Sequence, residues 1–366
     1  MQTPDIKLET SPGSRPAQAA GDGRSTRSNR LGAVVNQVGI YGIALLFILL
    51  GAGLQGAGII NNFMSAQNFL NIIDAAALLG IVAAGMAFVT YSGHFCDLSV
   101  PTTMALTGIV SVEMLAYGFV PAMLAALAVG MLIGAINAVV VGRFRANPII
   151  WTLAMNYVTM GIIRFIWVNK QIYPDMKTDD ALTLSLFDNI FRFRFWGAVG
   201  LPVVVMIILV VIGHFVMTKT EYGAQLKLTG SARKAAKFSG INVERVIGIA
   251  FLIAAFTATV GGLTVTSLSR VGAWYNGAGY DFKAVTAIVI GGMTLAGGRG
   301  TIIGVIGGAF VIGLMNNIMT LLGIGTFSQD MIRGAIFIAV VGINAKSLRS
   351  LGRSEERRVG KECRSR

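Results

Sequence analysis

The chain alternates long apolar runs with short polar stretches over most of its length. A bilayer-spanning helix needs about 20 mostly apolar residues. Ten runs approach or reach that length, so the pattern predicts an all-α, polytopic membrane protein with about ten transmembrane helices. The third and the eighth run are short or interrupted by glycine, which leaves eight or nine spans as alternatives. The runs cover about residues 37–57, 69–91, 99–116, 118–141, 148–168, 197–217, 246–267, 283–297, 302–323 and 328–344.

Basic residues cluster in alternate polar stretches, and this predicts the orientation. Cytoplasmic loops of membrane proteins carry the excess of lysine and arginine. Placing both termini in the cytoplasm puts most basic residues inside, whereas the outer loop 169–196 balances four basic against four acidic side chains. We therefore expect an even number of spans, with 169–196 as a periplasmic loop that can hold a short helix. The loop 218–245 is expected in the cytoplasm, with helical character at 231–238.

The composition agrees with a membrane protein. The 366 residues are 54% hydrophobic and 13% charged, with a mean hydropathy of +0.69, whereas a soluble domain carries about a quarter charged residues. Glycine is abundant, and Gly130 with Gly134, like Gly304 with Gly308, has the GxxxG spacing that suits close helix contact. In so glycine-rich a chain, chance matches to this pattern are the alternative.

The two ends of the chain differ from the membrane domain, which we place at 34–350. Residues 1–33 are polar and lack the apolar core of a signal peptide, so we expect a disordered cytoplasmic tail. The final RSEERRVGKECRSR, residues 353–366, is what a common sequencing adapter encodes in one reading frame. We expect this tail to be non-native. A basic tail that binds anionic lipid or nucleic acid is the alternative.

Residues for metal or catalytic chemistry are scarce. The chain has two cysteines and two histidines, and His94, Cys96 and Asp97 offer at most three ligands with nothing nearby to complete a site. There is no GxxxxGK[ST] phosphate loop, Ser/His/Asp set or HExxH motif. We therefore expect no metal site, no cofactor bound by this chain, no enzymatic activity and no nucleic-acid partner. Any ATP hydrolysis that drives transport must occur in another chain.

Few polar side chains lie deep in the predicted spans. Asp74, Glu113 and Arg164 fall near predicted outer ends. A charge at mid-bilayer costs about 2.5–3.5 kcal/mol, and no series of deep carboxylates indicates a proton- or sodium-coupled carrier. Neutral amides and hydroxyls could instead bind a hydroxylated solute, with ordinary interhelical hydrogen bonding as the alternative. The candidates are Asn137, Asn156, Thr286, Asn316 and Asn317.

The stretch DLSVP, residues 97–101, predicts the start of the third span. Asp97 and Ser99 precede Pro101, and helices commonly begin with a side-chain oxygen that accepts backbone N–H groups and a proline in the first turn. The orientation places this stretch at the cytoplasmic end of the second span. A proton relay at the bilayer centre is therefore not expected here.

Three stretches follow one another in a characteristic order: SGHFCDLSVPTTMALTG at 92–108, a loop ending in SGINVERV at 221–246, and a glycine-rich block with GGMTLAGGRG and NN at 280–324. Together they resemble the permease of binding-protein-dependent ABC importers, most closely the simple-sugar branch of ribose, galactose and xylose type. The resemblance extends from about residue 37 to 350. The family-motif residues are Asp97, Leu98, Ser99, Gly297, Gly298 and Gly300.

The resemblance implies a subunit that works with others. It implies a second permease copy or a homologous permease, a cytoplasmic ABC ATPase that supplies ATP and Mg²⁺ chemistry, a periplasmic or lipid-anchored solute-binding protein, and surrounding lipid of a bacterial inner membrane. Import of a nucleoside, inositol or a branched-chain amino acid is an alternative within the class, and a stand-alone secondary carrier is an alternative outside it. The implied ATPase-coupling residues are Gly223, Arg233, Lys234, Ala235, Ala236, Ser239 and Gly240.

Overall fold

A computed structural model describes residues 23–339, apart from 169 and 196, together with residue 342. The described chain is almost entirely helical. Its helices are α1 (Gly23–Gly56), α2 (Ala66–Tyr91), α3 (Val100–Glu113), α4 (Phe119–Asn137), α5 (Pro148–Trp167), α6 (Ala181–Ile190), α7 (Leu201–Lys219), α8 (Glu221–Ser231), α9 (Arg233–Phe238), α10 (Val243–Ser269), α11 (Tyr280–Ile290), α12 (Ile302–Leu321) and α13 (326–339). Strands β1 (Arg194–Phe195) and β2 (Val199–Gly200) form one small antiparallel hairpin.

Eight of the helices in the described part of the chain are long and apolar enough to cross a membrane. The α3 span includes a 3₁₀ turn that carries the helix on to Tyr117, and the α4 span ends in a π-helical turn at Ala138–Arg143. Each of the ten predicted segments contains a helix, but α11 and α13 are too short to cross alone as described. The all-α, polytopic prediction is confirmed.

The predicted eighth span, 283–297, is corrected most by the structure. The helix begins three residues earlier, at Tyr280, and already ends at Ile290. The following glycines adopt left-handed backbone conformations, with φ of +79° at Gly292 and +86° at Gly297. Such angles are incompatible with a continuing right-handed helix, so residues 291–300 form a turn instead.

The membrane domain is built around α2 and α10, which pack against each other and against most neighbouring spans. Their contacts use small residues. A Cβ atom at Gly85 or Gly130 would overlap a threonine hydroxyl of α10, and one at Gly134 would overlap Ala255. In α12, a Cβ at Gly304 or Gly308 would overlap a backbone carbonyl of the α11 region. The two GxxxG pairs are therefore sites of close helix contact.

Ion pairs attach the outer loop to the ends of the spans. The predicted short helix in this loop is confirmed as α6. Asp180 caps its start: the carboxylate accepts the backbone N–H groups of Leu182 and Thr183 at 3.2 Å. The pairs join loop residues to span ends: Arg194 with Asp74 at 2.5 Å, Lys177 with Glu113 at 2.7 Å, and Arg270 with Asp175 and Asp188 at 2.9 and 2.8 Å. These contacts agree with the predicted outer positions of Asp74 and Glu113.

The chain ends are described only in part. Helix α1 begins at Gly23, so it overlaps the last part of the predicted 1–33 tail. Residues 1–22 and the expected non-native tail 353–366 lie outside the described residues.

Candidate functional site

Three segments from distant parts of the sequence meet at the cytoplasmic end of α2. They are the loop 92–99, the end of α8 and the turn 291–300, one from each of the three motif stretches. The backbone N–H of Gly298 donates to the carbonyl oxygen of Tyr91 at 2.9 Å. The motif residues therefore form a single spatial site, which we call the glycine junction and define by Gly93, Gly230, Gly297 and Gly298.

Glycine is required at this junction because the backbones touch directly. A Cβ atom at Gly230 would overlap the Tyr91 carbonyl oxygen and lie 2.8 Å from the backbone nitrogen of Gly298. A Cβ at Gly297 would lie 2.5 Å from the backbone of Gly93. Gly93 and Gly297 also have φ of +86°, a conformation that other residues rarely adopt. Any side chain here would push the three segments apart.

The GGRG turn, residues 297–300, completes the junction. A Cβ at Gly298 would overlap the Ser231 hydroxyl at the end of α8. Gly300 has φ of +122° and lies against Met293, so the turn closes on itself. GGRG is therefore a tight turn before the next span, with positive φ at each of its three glycines.

Helix α8 is anchored to the membrane domain on its buried face. Gly223 lies so close to the last turn of α7 that a Cβ atom would overlap the carbonyl oxygens of Val216 and Met217. The Tyr222 hydroxyl donates to the Val246 carbonyl oxygen at 3.1 Å, and Leu226 is completely buried. The predicted cytoplasmic loop is thus a pair of helices, α8 and α9, held at a fixed position.

Helix α9 presents a basic surface to the cytoplasm. Its one fully buried residue is Ala236, while the side chains of Arg233, Lys234 and Lys237 are exposed. Ala235, Ser239 and Gly240 are exposed too. Phe238, which sequence reasoning did not single out, is 92% exposed at the end of this helix. An exposed aromatic ring among cations is unusual for a free surface and typical of an interface.

A buried polar network lies beside the junction, at the start of α3. The Asp97 carboxylate accepts the Ser99 N–H at 2.9 Å and the Ser99 hydroxyl at 2.6 Å. The Asn137 amide donates to the Ser99 hydroxyl oxygen at 2.9 Å and accepts from the Trp151 indole at 3.0 Å. Leu98 is buried, and its N–H donates to the Thr152 hydroxyl at 3.0 Å. The network joins α3, α4 and α5.

The predicted capping of α3 is found in altered form. Ser99 is the N-cap residue and Pro101 lies in the first turn, but the Ser99 side chain accepts no backbone N–H of the helix. Its hydroxyl is engaged by Asp97 and Asn137 instead. Asp97 makes the backbone hydrogen bond expected of a helix start, although it binds the N–H of Ser99 itself.

His94 is buried in the loop 92–99 beside Phe251 of α10, with ring centroids 6.3 Å apart. Its Nδ1 lies 2.8 Å from the Ser92 hydroxyl. Burial, reinforced by the nearby positive charge of Arg233, lowers the pKa of His94 to about 4, so the ring is neutral at pH 7. Within the described residues, no group of three His, Cys, Asp or Glu side chains could hold a metal ion.

Three of the other four candidate solute contacts are engaged in hydrogen bonds within the membrane domain. Thr286 donates to the Phe282 carbonyl oxygen of its own helix at 2.6 Å. Asn317 bonds with Asn68 of α2, and Asn316 accepts the Arg333 guanidinium N–H at 3.0 Å. The side-chain oxygen of Asn156 on α5 is buried, with no hydrogen-bond partner among the described residues.

Comparison with known proteins identifies the family. A family model described as "Branched-chain amino acid transport system / permease component" matches residues 68–341. The ribose import permease protein RbsC of Haemophilus influenzae is 31% identical over 76% of this chain and 85% of its own length. The fructose import permease protein FrcC of Rhizobium meliloti is 30% identical over 82% of this chain and 84% of its own length.

A third relative, the L-arabinose ABC transporter permease protein AraH of Azospirillum brasilense, is 29% identical over 85% of this chain and 88% of its own length. No solved structure matches the chain. The family match contains all three motif stretches that meet at the glycine junction. The chain therefore belongs to the family of transport-system permease components and is a multi-pass protein of the bacterial cytoplasmic membrane.

Proposed function

We propose that the chain is the membrane-spanning permease subunit of an ATP-driven importer for a sugar or a similar small hydroxylated solute. The observation that carries the proposal is the glycine junction, where α8, which leads directly into α9, is in direct backbone contact with the membrane domain. Sugar as the solute is supported by the relatives, which are named as ribose, fructose and L-arabinose permeases.

The ATPase is proposed to bind at α9 and to supply all ATP and Mg²⁺ chemistry. The exposed Phe238 would fill an apolar pocket of the partner, while Arg233 and Lys234 would face acidic side chains around that pocket. Because α8 is fixed by Gly223 and Leu226, a displacement of α9 is transmitted to the spans rather than absorbed. The permease itself then needs no catalytic or cofactor-binding residue.

Two further partners complete the proposed importer. A second permease copy or a homologous permease would form the pathway together with this chain. A periplasmic or lipid-anchored binding protein would deliver the solute to the outer loop, where Arg270 and Arg194 hold the loop in place through carboxylate pairs. A docking surface fixed in this way loses little conformational freedom on binding.

A branched-chain amino acid is the second candidate solute, because the matching family model is described by that transport system. The two candidates are separated by uptake into proteoliposomes that contain this permease, its ATPase and its binding protein. We expect ATP-dependent uptake of a radiolabelled pentose or hexose and none of leucine. Leucine uptake without sugar uptake would reverse the assignment. Uptake that continues without any ATPase chain would instead support a secondary carrier.

A further inference from the structure

The chain between α10 and α11 descends into the membrane. On the outer side, Gly272 pairs with Ile172 of the outer loop through hydrogen bonds of 2.8 and 3.0 Å. Five residues later, Gly277 lies against the first turn of α3, where a Cβ atom would overlap the Pro101 carbonyl oxygen and lie 2.9 Å from the Met104 Cβ. The segment 271–279 thus follows α3 from its outer half to its beginning.

Helix α11 covers only the inner part of this crossing. Its 11 residues measure about 16 Å at 1.5 Å per residue, roughly half of the ~30 Å hydrocarbon thickness. The turn that follows α11 lies at the cytoplasmic end of α2, where Gly298 binds Tyr91. The first turn of α11 therefore lies near the middle of the membrane.

This first turn carries charges that sequence reasoning did not identify as deep. Asp281 and Lys283 are half-buried, and Lys283 lies with its ammonium 4.9 Å from the centre of the Tyr280 ring. Phe282 is 55% exposed and packs edge-on against Phe337 of α13, with ring centroids 5.9 Å apart. Ala278, just before the helix, is exposed.

Helix α13 adds a further cation to the same region. Arg333 stands four positions before Phe337, on the same face of α13. Its guanidinium is fixed by Asp330, by Gln329 at 3.2 Å and by Asn316 at 3.0 Å, and its side chain is only 14% exposed. By contrast, Asp281 and Lys283 form no ion pair within the part of the chain that the structure describes.

A partly exposed carboxylate and ammonium cannot face lipid tails at this depth without a cost of several kcal/mol. We propose that the first turn of α11 lines a water-filled pathway and forms the mid-membrane contact site for a neutral, hydroxylated solute. Asp281 accepts hydrogen bonds from solute hydroxyls, Lys283 donates to them, and Phe282 covers the apolar face of the solute. The identity of the ligand rests on the proposed import function. The exposure of this site to water is independent of that function.

Cysteine labelling tests the site without any partner subunit. Ala278→Cys and, separately, Phe282→Cys are placed in the full chain with Cys363→Ser, and Cys96, which is fully buried, gives the background. Val211→Cys on α7, at similar depth and 61% exposed, is the control on an apolar face. Membrane vesicles are treated with a charged, membrane-impermeant thiosulfonate. We expect at least tenfold faster modification at 278 and 282 than at 211, and rates within threefold would overturn the proposal.

The same vesicles test the class of ligand, because a bound solute should protect the cysteines from labelling. With 100 mM D-ribose, D-fructose or L-arabinose present, at least one sugar is expected to slow modification at 278 or 282 threefold or more, while 100 mM L-leucine has no effect. In a Lys283→Ala background, protection should be lost although labelling stays fast. Fast labelling that no sugar slows would overturn the hydroxylated solute as ligand. Absence of sugar uptake in the reconstituted importer, with labelling and protection intact, would count against the import function alone.

Discussion

Asn68 and Asn317 exchange two side-chain hydrogen bonds, with nitrogen–oxygen distances of 3.0 and 2.7 Å, across 249 positions of the sequence. Asn68 also donates to the Phe63 carbonyl oxygen at 2.9 Å. The pair joins the outer end of α2 to the outer part of α12. Asn317, one of the predicted solute-contact residues, thus uses both the oxygen and the nitrogen of its side-chain amide in helix packing.

Replacing either member of this pair should destabilise the membrane domain. We expect Asn68→Leu and Asn317→Leu each to lower the midpoint of thermal unfolding in detergent. Polar pairs between membrane helices couple by about 0.6 kcal/mol on average and up to about 1.7 kcal/mol, and the two bonds here favour the upper part of that range. The double variant measures this coupling. Asn71→Leu, exposed on the same helix, is the control, and purely additive effects would contradict the paired contact.

Gly230→Ala should disrupt the glycine junction. The added methyl group meets the backbone of Tyr91 and Gly298, neither of which can yield as a flexible side chain could. We expect a loss of at least about 2 kcal/mol, typical of overpacking, measured as a lower unfolding midpoint. Gly161→Ala on α5, where nothing lies within 4 Å of the new Cβ, is the matched control and should gain up to about 1 kcal/mol. Equal stabilities of the two variants would exclude direct backbone contact at the junction.

The exposed residues of α9 should affect partner binding without affecting stability. We expect Phe238→Ala to weaken co-purification of the ATPase at least tenfold, because a large exposed aromatic ring is the usual centre of an interface. The charge reversal of Arg233 and Lys234 should act similarly and more strongly at low salt. Lys170→Glu, an exposed charge reversal in the outer loop, is the control. Unchanged ATPase recovery by Phe238→Ala would argue that α9 is not the docking helix.

Two substitutions of Asp97 measure how much its buried hydrogen bonds contribute to stability. Asp97→Ala leaves the Ser99 N–H and hydroxyl without their buried acceptor, and we expect a cost of about 1–3 kcal/mol. Asp97→Asn keeps one acceptor oxygen and should cost less than half as much. The thermal unfolding midpoints of the two variants are compared, with Ser111→Ala at a buried serine of α3 as the control. A loss for Asn as large as the loss for Ala would show that one acceptor oxygen cannot replace the carboxylate.

The apolar pattern was enough to predict most spans, because membrane helices satisfy their backbone hydrogen bonds within one segment. The helix at Ala181–Ile190 and the outer positions of Asp74 and Glu113 followed from loop length and charge alone. The glycine junction could not be predicted in this way, because its contacts join residues more than 60 positions apart and depend on backbone distances. The motif resemblance named Gly297 and Gly298 without giving the reason that they must be glycine.

The deep charges were missed for a related physical reason. Asp281 and Lys283 stand at the edge of an apolar run, and a window of about 20 residues assigns such residues to a membrane surface. Only the packing of Gly291 and Ala287 against Gly304 and Gly308 of α12 shows that α11 extends from the cytoplasmic end of α2 into the membrane, with its first turn deepest. The search for intramembrane carboxylates therefore needs the path of the chain between helices as well as the helices themselves.

The turn after α11 contacts the backbone of α2 and α8 directly, so this end of the helix is held rigidly. A helix of about 16 Å attached in this way has its other end near the membrane midpoint. A rotation of about 10° about the held end moves the other end by about 3 Å, roughly the length of one hydrogen bond. In the proposed importer, a small movement of α8 and α9 would therefore be enough to make or break contacts between Lys283 and a solute.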